Sequence, residues 1–242
     1  MAEGPIAILG ATSTVARALA HLWAKEGKSL LLSGRDEAEL DRIARDLRLR
    51  YGVPVEVRRM DPAAGDYPQL LWGLKGLPAL AGIVWAVGTM AGAGGSAEPS
   101  ALRETTWVNF GAAVAAIEGL LPAVDPKGFI VLLSSVAGER GRRKNYVYGA
   151  AKAALSTYGQ GLNHRLAGRG PRVTVVQLGV VDSQMTWGMA GAPKGADPEK
   201  VAGSIARAVA AGRGRVHVPA TWGLIMFVVR LLPEPIFNRL NI

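Results

Sequence analysis

Three side chains with acid–base chemistry lie close together near the middle of the chain: Ser135, Tyr148 and Lys152. Lys152 follows Tyr148 by four positions, which places the two on one face of a helix. An ammonium beside a buried phenol can make the phenol lose its proton more easily than the reference tyrosine pKa of ~10 suggests. A nearby hydroxyl can then orient a carbonyl or alcohol oxygen. The spacing predicts a proton-transfer device able to serve a hydride transfer. The alternative is a tyrosine that packs in a helix beside a solvated lysine.

The composition favours a single α/β domain without disulfide bonds. A chain of 242 residues can bury its own core, although two small domains are compatible with the length. The absence of cysteine excludes a disulfide-stapled secreted scaffold and any thiolate chemistry. We expect no signal peptide, because no basic segment precedes the first apolar run. No run reaches ~18 apolar residues, so we expect no transmembrane helix and predict a cytoplasmic protein.

The chain is basic, with a formal net charge of +9 and a pI near 10.2. Such a charge is compatible with a nucleic acid, an anionic lipid surface or a phosphorylated ligand. The arginines are spread along the chain, with short basic clusters at 140–144 and 213–215, which favours a solvated surface. We predict no nucleic-acid partner, because neither a recognition helix nor an aromatic-interleaved basic stripe is evident. The histidines lack partners at metal-ligand spacing, so we predict no metal site.

The first apolar segment, residues 5–9, is typical of a strand that runs into a small-residue turn and an amphipathic helix. Unpaired N–H groups at such a helix start bind the phosphates of a dinucleotide. Only Gly10 is a glycine here, and Thr14 and Ala16 stand where further glycines are usual. Thr14 would therefore have to tolerate backbone geometry that glycine supplies. The residues predicted to contact a cofactor in this turn are Gly10, Thr12, Ser13, Thr14 and Val15.

The second apolar segment, residues 29–33, is followed by Gly34 and Arg35. An acidic residue at the end of this strand would bind a ribose 2′-hydroxyl, whereas an arginine can hold a 2′-phosphate through charge-assisted bonds. The sequence therefore predicts NADP(H) as the cofactor, with Arg35 on its phosphate. The alternative is an arginine that only caps a turn.

Apolar and amphipathic segments alternate along the rest of the chain. Strands are predicted at 53–59, 81–87, 129–134, Arg172–Leu178 and Arg215–Val218, and helices at 98–124, 146–165 and 198–211. This alternation predicts an α/β fold: a doubly wound parallel sheet of Rossmann type with helices on both faces. Ligands bind such sheets outside the carboxyl ends of the strands. We predict a single dinucleotide-binding and catalytic domain at 1–220 and an apolar helical extension at 221–242.

Together these residues resemble the short-chain dehydrogenase/reductase family over residues 4–220. The resemblance implies a catalytic tetrad of Asn109, Ser135, Tyr148 and Lys152. Tyr148 would exchange the proton, Ser135 would hold the substrate oxygen, and Asn109 would hold a water of the proton relay. Lys152 would lower the pKa of Tyr148 and bind the nicotinamide ribose.

The resemblance also implies further cofactor contacts, near two places where the sequence departs from the family pattern. Asp61, after the third strand, would contact adenine. The family's Asn-Asn-Ala-Gly reads Trp-Ala-Val-Gly at 85–88, and its Pro-Gly reads Leu-Gly at 178–179. Neither departure removes a proton-transfer residue, but both bear on the packing of the cofactor loops. The other implied cofactor contacts are Gly88, Val181 and Ser183.

Within the family, residues 134–152 and 225–240 are similar to the decaprenylphosphoryl 2-keto-ribose reductase group, which reduces a keto-sugar on a lipid phosphate. The implied function is an NADPH-dependent oxidoreductase, a carbonyl reductase or alcohol dehydrogenase, acting on a ketone or secondary alcohol. The alternative is a non-catalytic NADP-sensing protein on the same fold. Such proteins usually lose the tyrosine or the lysine, and both are present here.

Three segments predict contacts beyond the site. The small-residue stretches at 111–116 and 149–154 predict a homo-oligomer, a dimer or tetramer, through two long helices. Trp187 and Met189 follow the sixth strand and are predicted to close over substrate. The tail has apolar residues at helical spacing, ended by Pro233. We expect it to pack on the body or a neighbouring subunit, with weak peripheral contact at an anionic membrane as the alternative.

Overall fold

A parallel sheet forms the centre of the molecule. The computed structural model describes residues 2–64, 79–95, 98–187 and 194–240. Within these residues the strands are β1 (Ile6–Leu9), β2 (Leu30–Gly34), β3 (Val55–Arg59), β4 (Leu80–Trp85), β5 (Val124–Ser135), β6 (Arg172–Leu178) and β7 (Arg215–Val218). Their spatial order is β3-β2-β1-β4-β5-β6-β7, and every neighbouring pair is parallel. The predicted doubly wound sheet is confirmed. Its chain order reverses between β1 and β4, which is where ligands bind in such sheets.

Helices cover both faces of this sheet. Those of the described residues are α1 (Thr14–Lys25), α2 (Glu37–Tyr51), α3 (Pro99–Thr106), α4 (Ala112–Leu120), α5 (Tyr146–Leu166), α6 (Pro198–Ala210), α7 (Thr221–Leu231) and α8 (Glu234–Phe237). Successive side chains of a strand point to opposite faces, so a strand buried on both sides is apolar throughout. In β1, Ile6 and Ile8 join the core under α1, α2 and α6, whereas Ala7 and Leu9 join the core under α4 and α5.

Side-chain caps fix where three of these helices begin. Ser13 accepts a hydrogen bond from the N–H of Ala16, and Asp36 accepts one from the N–H of Glu39 at 2.9 Å. Asp197 does the same for the N–H of Glu199 at 2.8 Å. Because a cap satisfies an N–H group that has no partner inside its helix, α1 and α2 start directly after β1 and β2.

The predicted helix at 98–124 contains a π-helical turn that the sequence did not predict, and it ends earlier than predicted. Between α3 and α4 the chain forms one π-helical turn, Trp107–Gly111, in which the N–H of Ala112 donates to the carbonyl of Trp107. After α4 a short 3₁₀ turn, Leu121–Ala123, ends the helical segment. Pro122 lies in this turn and has no N–H to continue the α-helix.

The predicted fifth strand at 129–134 starts too late. Val124 already pairs with Leu80, and the ladder resumes where Phe129 pairs with Gly82. Residues 125–128 bulge between these two pairs, and the Asp125 side chain accepts the N–H of Lys127 at 2.7 Å. Residues 125–128 are typical of a turn, so the sequence does not indicate that Val124, which precedes them, already belongs to the strand.

The tail packs on the body through one face. Met226 and Phe237 are buried, and the guanidinium of Arg140 donates to the carbonyls of Val229 and Leu232. The same guanidinium lies 3.9 Å from the ring centroid of Phe237. The opposite face of α7 leaves Leu224, Phe227, Val228 and Leu231 exposed. In the described part of the chain, no helix is both long and apolar enough to cross a membrane.

Candidate active site

A cavity of about 420 Å³ opens at the carboxyl ends of β1, β2, β4, β5 and β6. This volume is typical of a ligand pocket. Asn109 and Asp61 do not line it. The structure brings the other predicted site residues together on its wall, namely Gly10, Thr12, Ser13, Thr14, Val15, Arg35, Gly88, Ser135, Tyr148, Lys152, Val181 and Ser183.

The turn after β1 brings backbone close to backbone. Gly10 has a φ of 85°, and a Cβ there would lie 2.9 Å from the carbonyl carbon of Ala86. Glycine is therefore required at this position. Thr14 is the first residue of α1, and no non-glycine residue in the described ranges has a positive φ. The expectation that Thr14 must adopt glycine-like geometry is wrong, because capping by Ser13 lets the helix begin at Thr14.

The end of β2 offers a cation to the cavity. Arg35 is exposed on the cavity wall, and within the described residues it forms no ion pair. The carboxylate of the next residue, Asp36, is engaged as the cap of α2. Asp36 is the acid that could have bound a ribose hydroxyl, but its carboxylate caps α2 instead. The charge that the end of β2 offers to a ligand is therefore the positive charge of Arg35.

Asp61 lies beside the cavity. Its neighbours Met60 and Pro62 line the wall, while the Asp61 carboxylate accepts the N–H of Ala63 at 3.0 Å. The predicted adenine contact of Asp61 stays a prediction.

Ser135, Tyr148 and Lys152 converge from β5 and α5. Ser135 ends β5, where its hydroxyl accepts the N–H of Ala137 at 3.1 Å. Tyr148 and Lys152 are one helical turn apart on α5, and both are buried at 8% and 4% exposure. The Lys152 ammonium donates to the carbonyl of Leu133 at 3.0 Å and lies 5.7 Å from the centroid of the Tyr148 ring. The three side chains can therefore act on one bound molecule.

Burial sets the protonation of this group. It raises the pKa of Tyr148 to about 12, and a hydrogen bond with Ser135 only partly opposes the shift. Burial also lowers the pKa of Lys152 to about 8. The expectation that the lysine eases proton loss from Tyr148 is not met in the protein alone, because the cost of burying a phenolate dominates. Tyr148 is thus a neutral proton donor at neutral pH.

Asn109 supports the segment after β4 from the π-helical turn. It is fully buried, and its amide nitrogen donates to the carbonyls of Thr89 and Thr105, both at 2.8 Å. Its Oδ1 accepts the N–H of Thr89 at 3.3 Å and would lie 3.1 Å from a Cβ at Gly88. Asn109 therefore fixes the backbone that forms one wall of the cavity, where the family's two other amides are missing.

A buried polar network beneath the site was not predicted from the sequence. The hydroxyl of Ser134 donates to the carbonyl of Lys152 at 2.9 Å and lies 2.7 Å from that of Ser156. Gln177 on β6 donates to the Ser156 hydroxyl at 3.0 Å. The network ties α5 to β5 and β6 and so holds Lys152 in place. Its only sequence signal is polar residues inside otherwise apolar strands.

Three further lining residues were also missed: Arg142, Asn145 and Trp222. Trp222, on α7, lies where a Cβ of Gly179 would be, so the glycine admits the indole to the cavity. Arg142 belongs to the basic cluster at 140–144 that the sequence assigned to solvated surface. That assignment is wrong for Arg142, which lies on the cavity wall, and for Arg140, which binds the tail.

Two residues of the loop after β6 were predicted to close over substrate. Trp187 is 86% exposed, and its closing role stays a prediction. Met189 lies outside the described residues. The Nε2 atom of His217 lies 2.5 Å from Glu139 Oε1, so this histidine has a carboxylate as its hydrogen-bond partner. Within the described ranges no three histidine or carboxylate side chains are grouped as a metal site.

Comparison with known proteins gives one consistent result. Residues 5–192 match the model of the short chain dehydrogenase family. An uncharacterized oxidoreductase of Mycobacterium tuberculosis is 34% identical over 244 residues, covering 98% of this chain and 96% of the relative. One of Streptomyces coelicolor is 34% identical over 257 residues, covering 99% and 98%. A short-chain dehydrogenase from Sphingobium yanoikuyae, solved in complex with NADPH, shares the fold with a TM-score of 0.79 at 24% identity, covering 95% and 97%.

Proposed function

Since this chain belongs to the short-chain dehydrogenase family, we propose that it is an NADP(H)-dependent carbonyl reductase or alcohol dehydrogenase. Its substrate would be a ketone or a secondary alcohol. The observation that carries the proposal is the convergence of Ser135, Tyr148 and Lys152 on a cavity that also contains the Gly10 turn and Arg35. A proton donor and an anion-binding turn in one cavity suit a reaction that moves a hydride and a proton together.

The residues around the cavity fit NADP(H). N–H groups at the start of α1 would bind a phosphate of the cofactor, and Gly10 keeps the turn free of a side chain. Arg35 would pair with the 2′-phosphate through charge-assisted hydrogen bonds. The Sphingobium yanoikuyae protein of the same fold was solved with NADPH. When bound, the nicotinamide supplies or accepts the hydride.

The chain's own residues would handle the proton. Tyr148 is protonated at neutral pH, so it can donate to the carbonyl oxygen of a ketone during reduction. Ser135 would hold that oxygen in place. The Lys152 ammonium would favour the phenolate that forms when Tyr148 gives up its proton, and would contact the nicotinamide ribose. Asn109 would act through the backbone at 88–89, which its amide holds.

The test is oxidation of NADPH by the purified protein with a panel of ketones. Tyr148→Phe is the matched variant, because it removes the hydroxyl and keeps the ring. Loss of a general acid lowers the rate by at least ~10²-fold, so we expect turnover to fall by that factor while NADPH still binds. A Tyr148→Phe enzyme that keeps more than about a tenth of the rate would contradict the assigned role. A wild-type protein that binds NADPH but reduces nothing would favour the NADP-sensing alternative.

Two finer predictions belong to the same proposal. Exposed aromatic residues on the helices expected to pair, Trp107 and Tyr146, support a homo-oligomer, which light scattering would detect. The exposed face of α7 lies on the helix that also brings Trp222 to the cavity, which supports a substrate with an apolar tail, such as the lipid-linked keto-sugar of the resembled group. Sedimentation with anionic vesicles tests whether this face binds a membrane surface.

A further inference from the structure

Arg142 brings a charged guanidinium to the wall of the cavity. Its Nη2 donates to the carbonyl of Val136 at 3.2 Å and lies 3.2 Å from the sulfur of Met226. Its Nε is buried without a hydrogen-bond partner. Among the described residues, no carboxylate forms a hydrogen bond or an ion pair with Arg142. Within the described residues, the hydrogen bonds of this guanidinium go to one backbone carbonyl and one thioether.

The surroundings of Arg142 carry an excess of positive charge. Burial lowers the pKa of Arg142, and the charge of Glu139 opposes this shift. Glu139 is already paired with Arg215 at 3.2 Å and Arg230 at 3.7 Å. Glu139 also contacts His217, and it forms neither a hydrogen bond nor an ion pair with Arg142 in the described residues. Because buried charges in proteins are normally paired, this wall favours an anion.

The position of Arg142 separates it from the predicted phosphate contacts of the cofactor. Those contacts follow β1 and β2, at Gly10 and Arg35, whereas Arg142 follows β5 and packs on α7. In the sheet, β4 lies between β1 and β5. Arg142 therefore lies in the half of the cavity that contains Ser135, the residue proposed to hold the substrate oxygen.

We infer that Arg142 binds an anionic group of the substrate, and that the preferred ketones bear a carboxylate or a phosphate. A guanidinium suits both groups, because its N–H donors can bind two oxygens in parallel. Asn145 adds a second unsatisfied group on the same wall, since its Oδ1 is buried without a partner. Turning this amide over would present its N–H donors to the same anion. The inference rests on the proposed function and names its substrate class.

The experiment compares ketones that differ in charge, with NADPH as reductant. Levulinate is paired with methyl levulinate, and dihydroxyacetone phosphate with dihydroxyacetone, so the two arms distinguish carboxylate from phosphate. We expect wild-type kcat/KM to favour the charged member of at least one pair. Arg142→Gln should reduce that preference by about ten- to a hundredfold, the usual effect of losing a charge-assisted bond. Arg142→Lys should keep part of the preference for the charged ketone, because the lysine ammonium retains the positive charge but lacks the planar guanidinium that binds two oxygens at once.

The control is Arg143→Gln, which removes the same charge from an exposed neighbour in the same loop. It should leave the preference unchanged. NADPH affinity, measured by fluorescence titration for each variant, checks folding and the cofactor site. If Arg142→Gln weakens NADPH binding as strongly as Arg35→Ala and leaves the ketone preference intact, Arg142 serves the cofactor and the inference is overturned.

A binding measurement separates this inference from the proposed function. The complex with NADP⁺ is titrated calorimetrically with levulinate and dihydroxyacetone phosphate. Binding that weakens in Arg142→Gln and not in Arg143→Gln supports an anion site even if no ketone is reduced, in which case only the proposed function fails. Turnover of neutral ketones with no preference for charge, or the absence of binding by both anions, overturns the inference and leaves the proposed function standing.

Discussion

Lys152 should make the stability of the folded chain depend on pH, and Lys152→Met should remove that dependence. Burial lowers the pKa of this ammonium from 10.5 to about 8. The unfolded chain keeps the ordinary value, so between about pH 8 and pH 10.5 it binds the proton that the folded chain releases. The contribution of Lys152 to the free energy of unfolding is therefore lowest below about pH 8 and rises with pH between about 8 and 10.5.

The size of the effect follows from the two pKa values. Between about pH 7 and pH 9.5 they give an increase of about 2 kcal/mol in the free energy of unfolding from Lys152 alone. The substitution also removes the hydrogen bond from Nζ to the carbonyl of Leu133. That loss lowers stability at both pH values and largely cancels when they are compared.

The assay is urea unfolding at these two pH values, at one protein concentration, for the wild type, Lys152→Met and Lys200→Met. Lys200 is exposed on α6 and serves as the matched control. The wild type and Lys200→Met should gain about 2 kcal/mol relative to Lys152→Met on going to the higher pH. Parallel pH dependences in the wild type and Lys152→Met would refute the reasoning, because a buried ammonium could not then titrate near pH 8.

Three more outcomes follow from the site and the tail. Arg35→Ala should lower NADPH affinity by about ten- to a hundredfold and leave NADH affinity unchanged, and equal affinities for both cofactors in the wild type would contradict the role of Arg35. Ketone reduction, followed as kcat/KM against pH, should fall as pH rises through about 8, where Lys152 loses its charge while Tyr148 stays protonated; a profile flat to about pH 10 would exclude this dependence. A chain ending at Pro219 should show a lower Tm by calorimetry, because it loses the buried Met226 and Phe237, and an unchanged Tm would show that the tail does not contribute to packing.

The sheet could be predicted because its signals are local. Apolar strands such as β1 and β2 are each followed by a helix that begins at a side-chain cap. Parallel strands have their carboxyl ends at the same edge of the sheet, so the position of the site does not depend on how individual side chains pack. The π-helical turn around Asn109 could not be predicted, because such a turn depends on what its side chains contact elsewhere. The start of β5 was missed for the same reason, since its turn-forming residues bulge within a ladder that only the partner strand defines.

In the candidate site, too, features set by local sequence could be predicted and features set by tertiary contacts could not. The spacing of Tyr148 and Lys152 is local to α5 and could be read directly. The pKa of each group depends on burial by distant segments, so the direction of the Tyr148 shift was predicted wrongly. Trp222 and Arg142 reach the cavity from segments far apart in sequence, and the contact of Arg142 with Met226 exists only in the folded chain. Tertiary contacts of this kind leave no periodic signal.

The π-helical turn places one more residue between its hydrogen-bonded groups than an α-helical turn does, within the helical segment from Pro99 to Leu120. The wider turn absorbs that residue, so the helices on either side keep their faces. Deleting Phe110 should therefore convert the turn to ordinary α-helix and leave the fold intact by circular dichroism, while withdrawing Asn109 from Thr89 and lowering NADPH affinity. A deletion that unfolds the chain would argue against this view. In this view the π-helical turn positions Asn109 against the segment after β4. A one-residue deletion in this helix would then impair cofactor binding while the fold is retained.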